Sequence, residues 1–163
     1  MTKVMFVCLG NICRSPLAEA IFKHKVEARG LEDVLSADSS GTSDYHIGEP
    51  PDERTIRNAR KNGITIDHYG QQFTSEHLDR YDYVFAMDNR NRESINRLAK
   101  GKSSRAKIDL IRAFDPMGTG EEVPDPYFGG ERGFQEVFEM LDRSIDGLID
   151  YLVEEKGIRT GTQ

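Results

Sequence analysis

Short, unbroken apolar runs alternate along this chain with longer stretches whose apolar residues recur at helical spacing, and few folds accommodate that pattern. The first run, Val4 to Cys8, has no polar position on either side, so it predicts a strand covered on both faces, as in a parallel sheet. It breaks at Gly10-Asn11. Ser15-Pro16 then sets a capping hydroxyl before a proline suited to a first helical turn, and Leu17, Ala18, Ile21, Phe22 and Val26 follow at helical spacing as far as Gly30. Val34 to Ala37 predicts a second strand, followed by a Ser/Gly/Thr loop through Gly41. A helical stretch starts at Pro51 and stops near Asn62-Gly63, and a short helix begins near Thr74. Asp82 to Ala86 predicts a third strand, Asn89 to Lys100 a helix, and Ala106 to Ile111 a fourth strand. Phe114 to Gly133, rich in Gly, Pro and acidic residues, reads as a long loop of the functional kind. Phe134, Val137, Phe138, Leu141, Ile145, Leu148, Ile149 and Leu152 then form one apolar stripe on a closing helix.

This order predicts the α/β class: a single doubly wound domain over residues 1–156, with a central four-stranded parallel sheet and helices on both faces, and a loose tail at 157–163. In such folds ligands sit beyond the carboxyl ends of the strands, and Cys8 lies at such an end. The net charge of -6 excludes a broad electrostatic grip on nucleic acid or on an anionic membrane, so any bound anion must be held by local geometry. No apolar run approaches the roughly 20 residues that span a bilayer. Met-Thr-Lys leads straight into the first strand without the pattern of an export signal, which makes the cytoplasm the expected location and leaves secretion without a signal open.

Cys8 and Cys13 are the only cysteines. A bridge between them would close too small a loop to frame a fold, so the pair points to chemistry. Leu9, Gly10, Asn11, Ile12 and Cys13 separate Cys8 from Arg14 in a stretch that leaves a buried strand and enters a helix. Such a loop can curl its backbone N–H groups around one centre, where the helix N-terminus adds partial positive charge. Gly10 and Asn11 are residue types that tolerate the left-handed angles the curl needs. The result is a nest for a phosphate-sized anion, and Arg14 adds a planar fork that matches two phosphate oxygens at once. A thiol at the start of the nest is favoured as thiolate by the same field. Ser15 can donate to that thiolate instead of, or as well as, capping the helix.

Cys8-Leu9-Gly10-Asn11-Ile12-Cys13-Arg14-Ser15-Pro16 resembles the signature loop of the low-molecular-weight protein tyrosine phosphatases at every position, and Asp125-Pro126-Tyr127 resembles the second motif of that family. The likeness in length and element order runs from about Lys3 to Leu152. It implies a Cys8 nucleophile, phosphate held by Arg14 and the loop amides from Leu9 to Cys13, and Asp125 as general acid and then base. It also implies Asn11, Ser39 and His68 as braces of the loop, and Tyr45 and Tyr127 as walls of the substrate pocket, to which the adjacent aromatic Phe128 is added as a candidate. Cys13 would guard Cys8 by trapping its sulfenic acid as a disulfide. Neither a metal nor a cofactor is expected. The partners implied are phosphotyrosine proteins, with phosphate and other oxyanions as competing ligands, and a monomer is expected.

Three other readings share the fold or the loop. An arsenate reductase of this type relays oxidation through further cysteines, and none follows Cys13. A protein arginine phosphatase tends to carry threonine where this chain has Ile12. A phosphate-binding module without activity would be expected to have lost Cys8, Arg14 or Asp125.

Overall fold

The computed structural model describes residues 1–158 apart from Lys102, Arg105 and residues 127–129. Four strands, β1 (Thr2–Cys8), β2 (Leu35–Gly41), β3 (Tyr83–Ala86) and β4 (Lys107–Leu110), form one sheet in the order β2-β1-β3-β4. Every neighbouring pair is parallel. The helices are α1 (Arg14–Ala28), α2 (Glu53–Lys61), α3 (His77–Arg80), α4 (Asn89–Ala99) and α5 (Gly130–Glu155), with a 3₁₀ turn at Ile111–Phe114.

The period of two along β1 divides its apolar run between two cores. Val4 and Phe6 join Ile21 and Phe22 of α1 and Leu141, Ile145 and Leu148 of α5. Met5 and Val7 face the other way, against Leu78 of α3 and Ile95 of α4. A strand buried on both faces has no place for a polar residue, which is why Val4 to Cys8 is continuously apolar.

The chain leaves β1 for β2 on one side and returns to β3 on the other, so the sheet reverses direction at β1. The crevice at the carboxyl end of that strand is the switch point where such sheets bind ligands. The register Cys8↔Gly41 and Val7↔Ala86 sets the ends of β2 and β3 beside it.

Several boundaries differ from the expectation. β2 runs on to Gly41, so the stretch expected as a Ser/Gly/Thr loop is strand, pairing Ser39 with Phe6 and Ser40 with Val7. Its buried hydroxyls are satisfied locally: Ser39 Oγ donates to Glu19 Oε1 at 2.7 Å and Ser40 Oγ meets Met5 Sδ at 3.2 Å. α2 begins at Glu53, two residues after Pro51, because Asp52 caps it by accepting the Arg54 N–H at 2.8 Å. α5 begins at Gly130 rather than at Phe134, and Ile111 belongs to the 3₁₀ turn rather than to β4, so the long loop is shorter at both ends. At the far end of α5, Gly157 takes a positive φ of 61° and the Ile158 N–H returns to Val153 O at 2.9 Å, a closing turn that leans Ile158 on the core. Residues 159–163 lie outside the described ones. Among the described residues no helix is long and apolar enough to cross a membrane.

Candidate active site

The loop from Cys8 to Arg14 is built by turning its carbonyls outward. Cys8 O accepts the Thr42 N–H at 2.9 Å, Leu9 O the Ser43 N–H at 3.0 Å and Ile12 O the Asp52 N–H at 2.8 Å. In a trans peptide the N–H points opposite to the C=O, so these three units aim the N–H groups of Leu9, Gly10 and Cys13 inward. β2 must come very close for this. A Cβ on Gly41 would stand 2.7 Å from Leu9 O, which only glycine avoids without a shift.

Asn11 holds the curl. It is the one non-glycine among the described residues with positive φ, 57°, a conformation that costs most L-residues about 1–2 kcal/mol. Its amide offsets that cost with four hydrogen bonds. Nδ2 donates to Ser15 Oγ (2.8 Å) and Ser39 Oγ (3.1 Å), and Oδ1 accepts from the Gln71 N–H (3.0 Å) and from His68 Nε2 (2.7 Å). His68 Nδ1 lies 3.2 Å from Glu19 Oε1, and Lys23 Nζ 2.6 Å from Glu19 Oε2. Burial alone would raise the Glu19 carboxyl, but hydrogen bonds from His68, Lys23 and Ser39 hold it below the ordinary carboxylate range. The structure therefore joins Asn11, Ser39 and His68, the expected braces, with Ser15 in one network and ends it on a buried carboxylate.

Ser15 does not cap α1. The N-cap position is Cys13, and no side chain caps this helix. Ser15 Oγ instead lies 2.9 Å from Cys8 Sγ. That oxygen accepts from Asn11 and also lies 3.4 Å from Ser40 O, so its single proton has the sulfur and this carbonyl as its two acceptors. The Asn11 N–H also points at Cys8 Sγ, at 3.3 Å, so a hydroxyl and a backbone N–H converge on an almost fully buried thiol.

Arg14 is buried beneath the loop. Its Nη1 donates to Asp88 Oδ2 at 2.7 Å and to Val123 O at 3.0 Å, and its Nη2 lies 3.9 Å from Asp125 Oδ2. Burial works against the guanidinium charge, but Cys8 and Asp88 outweigh it and the proton is held more firmly than usual. Asp88 serves twice, since its Oδ1 caps α4 through the Asn91 N–H at 2.8 Å. Burial pushes the Cys13 thiol up to about 12, and the charges of Asp52, Cys8 and Asp125 add to this. Both thiols are free.

A cavity of about 220 Å³ opens above these groups. Cys8, Ile12, Cys13 and Arg14 line it together with Leu9, Gly10, Tyr45, His46 and Asp125. Tyr45 stands at the mouth, 71% exposed. Tyr127 and Phe128, the other expected wall residues, lie outside the described residues. His46, missed in the sequence, packs on Gly10, where an added Cβ would stand 3.1 Å from its Cδ2. Its only signal was adjacency to Tyr45.

The loop that carries Asp125 is anchored at a distance. Asp115, fully buried, accepts from Arg112 Nε at 3.0 Å and from Arg143 Nε at 3.1 Å. Burial would raise its carboxyl, but Arg143, the Met117 N–H and Arg112 hold it below the usual range. Arg112 Nη1 then donates to Glu122 O at 3.0 Å, and the Val123 N–H to Met87 O at 2.8 Å, which docks the residue bonded to Arg14 at the end of β3.

A nearly buried thiol at the switch point of a parallel sheet, ringed by inward N–H groups and backed by one arginine, defines a cysteine-centred oxyanion-binding α/β protein. Within that class the chain belongs to the low molecular weight phosphotyrosine protein phosphatase family, whose model matches residues 3–158. It is 42% identical over 155 residues to a low molecular weight protein-tyrosine-phosphatase of Streptomyces coelicolor, covering 94% of each chain. The fold is similar to a protein tyrosine phosphatase of Entamoeba histolytica solved with Hepes in its active site, at TM-score 0.87 and 36% identity, covering 96% of this chain and 99% of that one. It is also similar to a Drosophila arginine phosphatase, at TM-score 0.86 and 33% identity, covering 92% and 97%.

Proposed function

We propose that this chain hydrolyses protein phosphotyrosine and small aryl phosphates through a phosphocysteine on Cys8. The observation that carries the reading is the convergence of the Ser15 hydroxyl and the Asn11 N–H on Cys8 Sγ, at 2.9 and 3.3 Å, with Arg14 behind it and Asp125 at the rim of the same cavity. The sulfur attacks phosphorus while the loop N–H groups and Arg14 hold the nonbridging oxygens. The P–O bond to the phenol breaks, and the Asp125 carboxyl protonates the departing oxygen, a service worth roughly a hundredfold to ten-thousandfold. Now ionised, Asp125 takes a proton from water, whose oxygen bonds to phosphorus as the S–P bond breaks, releasing phosphate and the Cys8 thiolate. Positioning and charge do most of this work, as is usual for phosphoryl transfer.

The cavity suits a flat aryl group because Tyr45 and His46 present rings at its mouth and Ile12 an apolar flank. Tyr127 and Phe128 are assigned to the same wall. The decisive experiment compares an aryl phosphate with phosphotyrosine, phosphoserine and phosphoarginine peptides on the wild type and Cys8→Ser. Turnover of the aryl phosphate and the phosphotyrosine peptide, abolished in Cys8→Ser, is expected. Unchanged turnover in Cys8→Ser sinks the mechanism, and preference for phosphoarginine moves the chain to the specificity in the name of its Drosophila neighbour.

Cys13 is assigned the redox role. Peroxide converts the Cys8 thiolate to a sulfenic acid; the Cys13 sulfur attacks it, expelling water and leaving a disulfide that a dithiol reduces. Peroxide inactivation of the wild type should be reversed by a dithiol, whereas Cys13→Ser should become progressively unrecoverable. Equal recovery of both rules the role out.

A further inference from the structure

The chain is acidic overall, yet α2 carries Arg54, Arg57, Arg60 and Lys61 against one carboxylate, Glu53. Arg54, Arg57 and Lys61 recur at i, i+3 and i+7, so they share one face of the helix. That face lines a cleft closed on its other side by Glu131 and Phe134 of α5. The cleft is tied to both halves of the site: Asp52, the cap of α2, donates its N–H to Ile12 O at 2.8 Å, and α5 begins five residues after Asp125.

The three cations are not equivalent. Arg54 is occupied by Asp52, at 2.9 Å, and lies 4.8 Å above the Phe134 ring. Lys61 pairs with Glu131 only at 4.0 Å, with both side chains largely exposed. Arg57 is exposed and has no ion-pair partner among the described residues. A strip of cations on an acidic protein, starting beside the anion loop, with Arg57 outside the ion pairs of the described residues and Lys61 paired only at 4.0 Å, fits a negatively charged chain that already has one end in the pocket.

We propose that this face of α2 recognises acidic residues flanking the phosphotyrosine of a protein substrate, with Arg57 as its central contact and Lys61 beyond it. The proposal rests on the phosphatase reading of the pocket. Arg57 lies about 8 Å along the helix axis from Asp52 at 1.5 Å per residue. An extended peptide covers that in two to three residues at roughly 3.3 Å each, so acidic side chains within about five positions of the phosphotyrosine are in reach.

The test measures kcat/KM for phosphotyrosine peptides flanked on either side by Glu, Gln or Lys, on the wild type, Arg57→Glu and the double variant Arg57→Glu/Lys61→Glu. An aryl phosphate too small to reach α2 serves as reference. Exposed ion pairs of this kind change rates by up to about fivefold each, so the wild type should prefer Glu-flanked to Lys-flanked peptide by about tenfold at low salt. That preference should vanish in the double variant and at high salt, with aryl phosphate turnover unchanged. A peptide preference untouched by the variants, or an equal loss on all three peptides, overturns the proposal. Failure of the wild type to turn over aryl phosphate counts against the phosphatase reading instead. The cleft is then read by anisotropy of the labelled Glu-flanked peptide, where weaker binding to the double variant supports the proposal and unchanged binding overturns it.

Discussion

The two halves of the site are held in opposite ways. The anion loop is bonded from within: Asn11 alone makes four side-chain hydrogen bonds, and three loop carbonyls are taken by partners in the segments that follow β2. The Asp125 segment is anchored upstream, through the Asp115 clamp, Glu122 O and Val123, and its carboxylate is half exposed at the rim. A loop that holds an anion through the two steps proposed above benefits from being built before the anion arrives. In the proposed mechanism Asp125 hands a proton to the leaving group, a role that benefits from access. Arg14 bridges the halves, bonded to Val123 O while its other nitrogen faces Asp125.

This contrast can be broken experimentally. The largest effect is expected for Asp125→Asn: kcat should fall by about a hundredfold to ten-thousandfold with a phenol of high pKa, and much less with a good leaving group, while stability in urea stays near that of the wild type. Equal losses on both leaving groups would remove Asp125 as the acid. Asn11→Ala should show the reverse pattern in denaturation, losing about 3 kcal/mol from a strained backbone and buried partners left unpaired. Asn11→Gly should recover about 1 kcal/mol of that by relieving φ alone. If Ala and Gly are equally stable, the backbone strain contributes nothing.

The smallest effect is on pH dependence. Glu19 and Asp115 are both held below their ordinary range, so the unfolded chain binds protons that the native chain does not. Their contribution is fully present above the unfolded carboxylate pKa and disappears as pH falls through the folded one. The urea midpoint should therefore drop on acidification below the ordinary carboxylate range, and Glu19→Gln should flatten part of that slope. A slope unchanged in Glu19→Gln would place the acid sensitivity in the Asp115 clamp.

What could be read in advance followed periodicity. β1 and α5 declare themselves because each buries a regular apolar pattern, and the order strand, tight loop, helix places Cys8 and Arg14 at the switch point. β2 escaped because Ser39 and Ser40 look like loop residues until their buried hydroxyls are seen to have partners. Asp88 and Glu19 escaped for a related reason. Asp88 looks like an ordinary helix cap and Glu19 like an ordinary helical residue, and each gains its meaning from a residue far along the chain: Asp88 from Arg14, Glu19 from His68 and Ser39. Such pairings leave no local trace.

Ile12 shows what this construction permits over evolutionary time. Its carbonyl is fixed by the Asp52 N–H, while its side chain only lines the cavity. A mutation there reshapes the cavity wall while leaving the Asp52 anchor of the loop in place, so the fit of the pocket is open to change in single steps that spare the framework around Cys8.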